Sequence, residues 1–328
     1  MILVATLIGC IYLIMVSAWV CGAFYFDLGK ESGWGILACI AWIGFVVFTL
    51  TYSVLYSSLI VTGALLVVLI WWFSQKPSLD REWDPNFSKP CRIRIHGDLI
   101  EVDNIRNTEY RSLTDYDLKY ENRVYRAEDL QGADVLILFW GSSLLSHPMM
   151  IFDFGNNQHL CFSVEVRYRA NQNYSFLKGI YRQYELMYVV TDERDAILRR
   201  TRYAENQDCY LYRLRADQPG IQQLFREYAD AANELATHPR WYHAITDNCT
   251  TTIIKRRVEK VQFDLRFYMN GSLDKLLYER ELIDTSLSFS ELKARSHINE
   301  SANSATPEEF SQAIRMNLPG YESREFEH

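Results

Sequence analysis

Residues 147–167 read HPMMIFDFGNNQHLCFSVEVR. Taken with a period of two, Leu160, Phe162, Val164 and Val166 line one side of an extended segment, and His159, Cys161, Ser163, Glu165 and Arg167 line the other. Upstream, Pro148, Met150, Phe152 and Phe154 form the matching apolar set, and Gly155-Asn156-Asn157 is a turn signal. The two apolar faces coincide only if even positions pair with even ones, because a slip of one residue turns a strand over. A three-residue loop meets that condition. It pairs Phe154 with Gln158, Phe152 with Leu160 and His147 with Glu165. The spacing therefore predicts a hairpin that sets a carboxylate beside an imidazole on the polar face of a sheet.

Around this hairpin the pattern alternates between strand and helix without a regular repeat. RIRIHGDLIEV reads as a second hairpin about His96-Gly97-Asp98, and DVLILFW, YELMYVV and CYLYRLR read as strands. DERDAILRR and PGIQQLFREYADAANELA carry helical spacing, with Asp192-Glu193-Arg194-Asp195 expected to cap the first of them and lie solvated. Such an irregular mixture favours an α+β domain over a doubly wound sheet.

The first quarter of the chain is different in kind. No charged residue occurs from Met1 to Phe26, and after Asp27, Lys30 and Glu31 none recurs until Lys76. A bilayer span needs about 20 apolar residues. Residues 1–26 supply one, with Trp19 and Tyr25 as interfacial aromatics. The run 32–75 is long enough for two more, turning near Tyr52–Ser58 and closing on Trp71, Trp72 and Phe73. A cleavable signal peptide fits less well, for no basic segment precedes the run. The expected organisation is a bundle of three transmembrane helices (about 1–26, 33–52 and 55–74) forming an anchor over 1–75. A linker follows at 76–90, then a folded domain over 91–328. With 48% apolar and 14% aromatic residues the chain can build a packed core, and its net charge of −7 argues against a nucleic-acid partner. The orientation is left open by so few positive charges.

TDNCTTTIIKRR, residues 246–257, is the second informative stretch. Thr246 or Asp247 is a good N-cap, and Ile253 and Ile254 begin an apolar stripe, so Cys249 falls in a first helical turn. There the free backbone N–H groups and the helix dipole favour a thiolate and could hold an oxyanion. A lone cysteine is more often a small buried hydrophobe, and a histidine before a proline is more often a core residue. His159 and Cys161 share a face but lack a metal-binding spacing, and Ser142 and Ser143 lack the G-x-S-x-G frame, so neither a metal nor a cofactor is expected. Cys91, Cys161, Cys209 and Cys249 are too irregularly spaced for a disulfide framework, though one pair could form in an oxidising compartment.

Several strings occur in a telling order: WWFSQKPSLDREWDPN, VDNIRNTEYRSLTDYD, FWGSSLLSHPMMIFDFG, FSVEVR, YRQYELMYVVTDERD and YHAITDNCTTTI. Together, over about Trp71 to Pro319, they resemble the extracytoplasmic domain of the Lnb-type lipoprotein N-acyltransferases (intramolecular transacylases). The resemblance implies a papain-like fold related to lecithin–retinol acyltransferase-like enzymes and a permuted NlpC-like architecture. It also implies a multi-pass protein of the bacterial inner membrane whose domain faces the periplasm or exterior. The family's nucleophile matches Cys249 within Asn248-Cys249-Thr250-Thr251, its histidine matches His147, and Glu165 matches an acidic position. His243 stands where the family pattern has an Asn-like residue, which gives it no role.

These readings predict a cysteine acyltransferase: Cys249 as nucleophile, His147 as general base, Glu165 orienting the imidazole, and Asn248, Thr250 and Ser163 near the oxyanion. Its partners would be membrane lipid and a lipidated protein substrate. Two alternatives remain: a cell-wall amidase or peptidase using the same Cys–His dyad, and a non-enzymatic membrane scaffold in which Cys249 is merely buried.

Overall fold

A computed structural model describes residues 2–28, 33–141, 146–170, 172–244, 246 and 270–321. The chain divides into two units. One comprises Met1–Asp80, Asn173–Glu185 and Trp241–Ala244, and the other Arg81–Gln172, Leu186–Arg240 and Ile245–His328.

In the first unit α1 (Ile2–Ala23), α2 (Trp34–Thr49) and α3 (Val54–Ser74) are apolar nearly all round, with Leu7, Ile14, Ile40 and Ile70 among the many exposed side chains. Two segments, Leu3–Leu28 and Val54–Ser74, are long and apolar enough to cross a membrane. At 1.5 Å per residue the 21 residues of α3 reach about 31 Å, close to the hydrocarbon thickness. α2 has only 16 residues: Gly33, at φ 75°, starts it late, and the chain turns at 50–53 before Ser53 caps α3. The turn thus falls slightly earlier than the sequence pattern suggested. Trp19 and Trp72 meet edge to face at 5.3 Å, so α1 and α3 end side by side, and Trp42 Nε1 donates to Ser17 Oγ at 3.2 Å to tie α2 to α1.

The segment 173–185, which carries the short helix α4 (Phe176–Ile180), is built onto this end. Tyr181 stacks on Phe26 and donates to the Trp19 carbonyl, and Gln183 donates to the Phe26 carbonyl. The Arg182 guanidinium lies 4.0 Å over the Trp72 ring. Gly22 is a required glycine here, since a Cβ would overlap the Tyr181 hydroxyl.

The second unit holds an eight-stranded sheet in the order β1-β2-β9-β8-β7-β6-β10, with β5 also paired to β2. Its strands are β1 (Arg92–His96), β2 (Leu99–Arg106), β5 (Tyr120–Arg126), β6 (Gly132–Trp140), β7 (Ser146–Asp153), β8 (His159–Arg167), β9 (Glu185–Asp192) and β10 (Gln207–Arg213). β3 (Glu109–Tyr110) and β4 (Tyr116–Asp117) form a small separate ribbon. The mixture of strands and helices is α+β, as the sequence pattern suggested. Both expected hairpins are present. β1 and β2 pair His96 with Leu99 across Gly97, and β7 and β8 pair Phe152 with Leu160 and Met149 with Ser163. Gly155, Asn156 and Asn157 all take positive φ in the connecting turn, and Phe154 N donates to the Gln158 carbonyl at 2.9 Å.

One face of the sheet is covered by α6 (Gln218–Thr237), whose Phe225 and Tyr228 meet Phe152 edge to face at 5.1 and 5.6 Å. The other face is covered by α5 (Glu193–Thr201), with Ala196 and Ile197 packed among Leu138, Met149, Ile151 and Cys161. Further helices follow at α7 (Leu273–Glu279), α8 (Phe289–Arg295), α9 (Asn299–Ser304) and α10 (Phe310–Ala313); Phe310 and Ile314 complete that second layer.

The side of the hairpin read as polar is therefore buried, and its charges are neutralised inside the protein. Arg213 bridges Asp134 and Asp153, while Arg315 bridges Asp134 and Glu193. The acidic cluster is corrected in the same way. Asp192 does cap α5, accepting from Arg194 N at 3.0 Å, but Glu193 and Asp195 are buried rather than solvated. Asp195 receives both arms of Arg106 at 2.7 and 3.0 Å, a bidentate pair that offsets the cost of burying either charge.

Candidate active site

β7 and β8 bring three of the sequence-proposed residues together. His147 sits at the start of β7, buried, opposite Leu138 of β6. Extending the observed register of the hairpin places Ser163 and Glu165 on the same face of β8. The Ser163 hydroxyl donates to Glu165 Oε1 at 2.6 Å, and its oxygen lies 2.8 Å from His147 Nε2. His147 Nε2 is itself 3.3 Å from Glu165 Oε1.

Because the Ser163 proton is committed to the carboxylate, its oxygen must accept from the ring, which puts the imidazole proton on Nε2 and leaves the lone pair on Nδ1. Ser163 is thus a link between Glu165 and His147. The same Glu165 oxygen also receives Arg200 at 3.0 Å. Burial alone would raise the Glu165 pKa, but the His147 ring, Arg200 and the Ser163 hydroxyl outweigh it and hold the carboxyl well below the ordinary range. It is an anion at any working pH.

A cleft of about 270 Å³ opens beside His147 and Glu165. Trp140 forms part of its wall, its ring 5.9 Å from the imidazole, and Leu113, Tyr168 and Arg199 line it further. A base of fixed tautomer, oriented by a permanent carboxylate at the edge of a cleft, suits the activation of a nucleophile.

Cys249, Asn248 and Thr250 lie outside the described residues, as do Ser142 and Ser143. The other cysteines of the sheet-bearing unit are Cys91, Cys161 and Cys209. All three are free thiols and buried. Burial pushes the thiols of Cys161 and Cys209 up to about 12 and raises that of Cys91 as well. A thiolate forms at none of them near neutral pH. His159, on the same face as Cys161, lies between Asp153 and Glu193, in the buried ionic network and away from His147's partners.

Sequence reasoning missed Arg200 and Arg199. A signal existed for Arg200, which follows the buried Ala196 and Ile197 by four and three residues and so shares their inward stripe.

The family model of the Lnb N-terminal periplasmic domain matches residues 116–266. Over that segment, a little under half of its length, the chain is similar to the Lnb N-terminal periplasmic domain family. The matched segment contains His147, Ser163, Glu165, Arg199 and Arg200, and also Cys249. It bears out the resemblance drawn from the motifs. Two helices long and apolar enough to cross a membrane precede the matched segment, which suits a membrane protein with a periplasmic domain. No curated protein matches the chain. No solved structure matches it either.

Proposed function

We propose that the protein is a membrane-bound cysteine acyltransferase that moves an acyl chain from a lipid-modified substrate, a diacylglyceryl lipoprotein, to an amine. The observation that carries this reading is the chain Glu165–Ser163–His147, which leaves Nδ1 of His147 as a base at the cleft. Cys249 is the thiol assigned to it, since the remaining cysteines of that unit are buried in their protonated form.

In the reaction the His147 Nδ1 takes the Cys249 proton, and the thiolate attacks the ester carbonyl. Backbone N–H groups around Asn248 and Thr250 receive the oxyanion, and the C–O bond breaks as His147 returns the proton to the leaving alkoxide. The substrate amine then attacks the thioester carbon and the C–S bond breaks. The amine proton passes to His147, and the thiolate–imidazolium pair is restored beside Glu165. A papain-like arrangement, with a helix-borne cysteine facing a strand-borne histidine, is part of this proposal.

So is a three-span anchor in the bacterial inner membrane. Since α1 and α3 end side by side, the chain must return between them, and α2 with its flanking turns makes that crossing. With the N-terminus in the cytoplasm, residues 76–90 lead out to the Lnb domain on the periplasmic side, and 91–328 form it. Both acyl chains of the substrate then lie in the same bilayer as the anchor.

The test is mass spectrometry of lipoproteins from cells that carry wild-type or Cys249→Ser protein. The wild type should yield N-acylated lipoprotein and the variant the free amine. Equal acylation by both would remove the thiol from the mechanism.

A further inference from the structure

One apolar surface of the first unit belongs to none of its three long helices. The segment 173–181 lies far downstream of Ser74 in the chain, yet it is fastened to the end of the bundle where α1 and α3 meet. Tyr181 passes Gly22 to reach the carbonyl of Trp19, and it stacks on Phe26. Trp19 stands four residues before Ala23, the end of α1, so at 1.5 Å per residue the Tyr181 hydroxyl reaches about 6 Å inside that end. That is the level of an interfacial aromatic. Ala244 N donates to the Gly179 carbonyl at 2.8 Å, and a Cβ on Gly179 would crowd Ala244 and Tyr242 at 3.1 and 3.2 Å. The buried Tyr184 hydroxyl accepts from Ser175 N at 3.0 Å and donates to the Asn173 carbonyl at 2.8 Å. The backbone of α4 is therefore pinned on both flanks. Phe176 and Leu177 nevertheless stand 55% and 60% exposed. Two adjacent large apolar side chains held outward in this way are costly in water.

We infer that α4 is a second membrane contact, outside the helical anchor, at which Phe176 and Leu177 enter the surface of a glycerophospholipid bilayer. The occupant follows from continuity. Tyr181 stacks on Phe26, Phe26 meets the exposed Tyr25 at 5.0 Å, and the neighbouring Arg182 lies 5.2 Å over the exposed Phe73 at the end of α3. Lipid that surrounds the spans as far as Tyr25 and Phe73 thus reaches this segment too. Lys178 is the one charged residue between Asn173 and Tyr181. An apolar pair flanked by tyrosines and a single lysine suits the headgroup boundary, where the lysine stem lies along apolar surface and its ammonium reaches phosphate. With five residues α4 is too short to span, so it lies in the interface. The inference rests on the anchor lying in a bilayer and is independent of the chemistry at Cys249.

Spin-label accessibility tests it. Full-length Cys249→Ser protein carrying Phe176→Cys, Leu177→Cys or, as a reference on α1, Ile14→Cys is labelled with a nitroxide. Each is reconstituted singly into nanodiscs of phosphatidylethanolamine and phosphatidylglycerol, and the signal of the labelled parent, with its native cysteines, is subtracted. All three positions are more than half exposed, so the fold should tolerate the changes. Relaxation by oxygen, which concentrates in hydrocarbon, is compared with relaxation by a water-soluble nickel chelate. At residues 176 and 177 the oxygen-to-nickel ratio should exceed that of the label free in buffer severalfold and lie below that at residue 14. A buffer-like ratio at either position, with residue 14 reporting lipid, would overturn the contact and leave the anchor standing. Low accessibility to both reagents would mean that protein covers α4, and would overturn the lipid assignment. A buffer-like ratio at residue 14 would remove the anchor and the contact together.

Discussion

Replacing Ser163 by alanine should misalign His147 without disturbing the sheet. The hydroxyl makes two short contacts, 2.8 Å to His147 Nε2 and 2.6 Å to Glu165 Oε1, and the second is to a charged acceptor. Such hydrogen bonds contribute about 1.5–3 kcal/mol each when lost outright. The loss here is partial, because Nε2 already stands 3.3 Å from Oε1 and can approach it directly once the hydroxyl is gone. A net cost of about 1–2 kcal/mol remains, which is roughly a five- to thirtyfold fall in rate. Glu165→Gln removes the charge opposite the imidazolium and should cost more, about a hundredfold.

The assay is the rate of Cys249 alkylation by iodoacetamide in the full-length protein as a function of pH. In the wild type Glu165 stays ionised through the acid limb, its pKa being held low, so a thiolate–imidazolium pair persists there. In Glu165→Gln the imidazolium loses its counter-charge, so less of the pair forms, the thiolate appears only at higher pH, and alkylation should fall on the acid and neutral side while recovering in alkali. Ser163→Ala should show the same change to a lesser degree. Rates and pH profiles equal to wild type in both variants would refute the coupling of Glu165 and Ser163 to the thiol.

Phe225→Ala should destabilise the sheet-bearing unit by about 3–5 kcal/mol, since the ring is buried against Phe152, Phe154 and Phe162; the urea midpoint of the full-length protein measures it, and a change under about 1 kcal/mol would contradict that packing. Asp134 is held at about 2 because Arg315 and Arg213 outweigh its burial. A depressed folded pKa stabilises above the unfolded value and is lost as pH falls through the folded one, so about 2–3 kcal/mol should disappear between roughly pH 4 and pH 2. Thermal melting across that range should show the loss, and Asp134→Asn should flatten that part of the curve.

How much of this was legible in the sequence differs from residue to residue. The pairing of His147 with the Ser163–Glu165 side of β8 follows from a period of two and a loop length, both local, and the structure holds that register. What covers that side is not local. Ile298, Phe310 and Ile314 come from more than 130 residues downstream, so a face that reads as polar is closed over. The same distance hid the burial of Glu193 and Asp195, whose partners are Arg315 and Arg106. Nor does any local pattern place β9 between β2 and β8.

The central claim is that an acyl group passes through a thioester on Cys249. Full-length protein is mixed with a diacylated lipopeptide whose amine is blocked, quenched in acid within seconds, and measured as an intact mass. The account predicts an added acyl mass that maps to Cys249, is removed by hydroxylamine, and is absent from Cys249→Ser and His147→Ala. No adduct in the wild type, alongside acyl transfer by Cys249→Ser once the amine is freed, would contradict it.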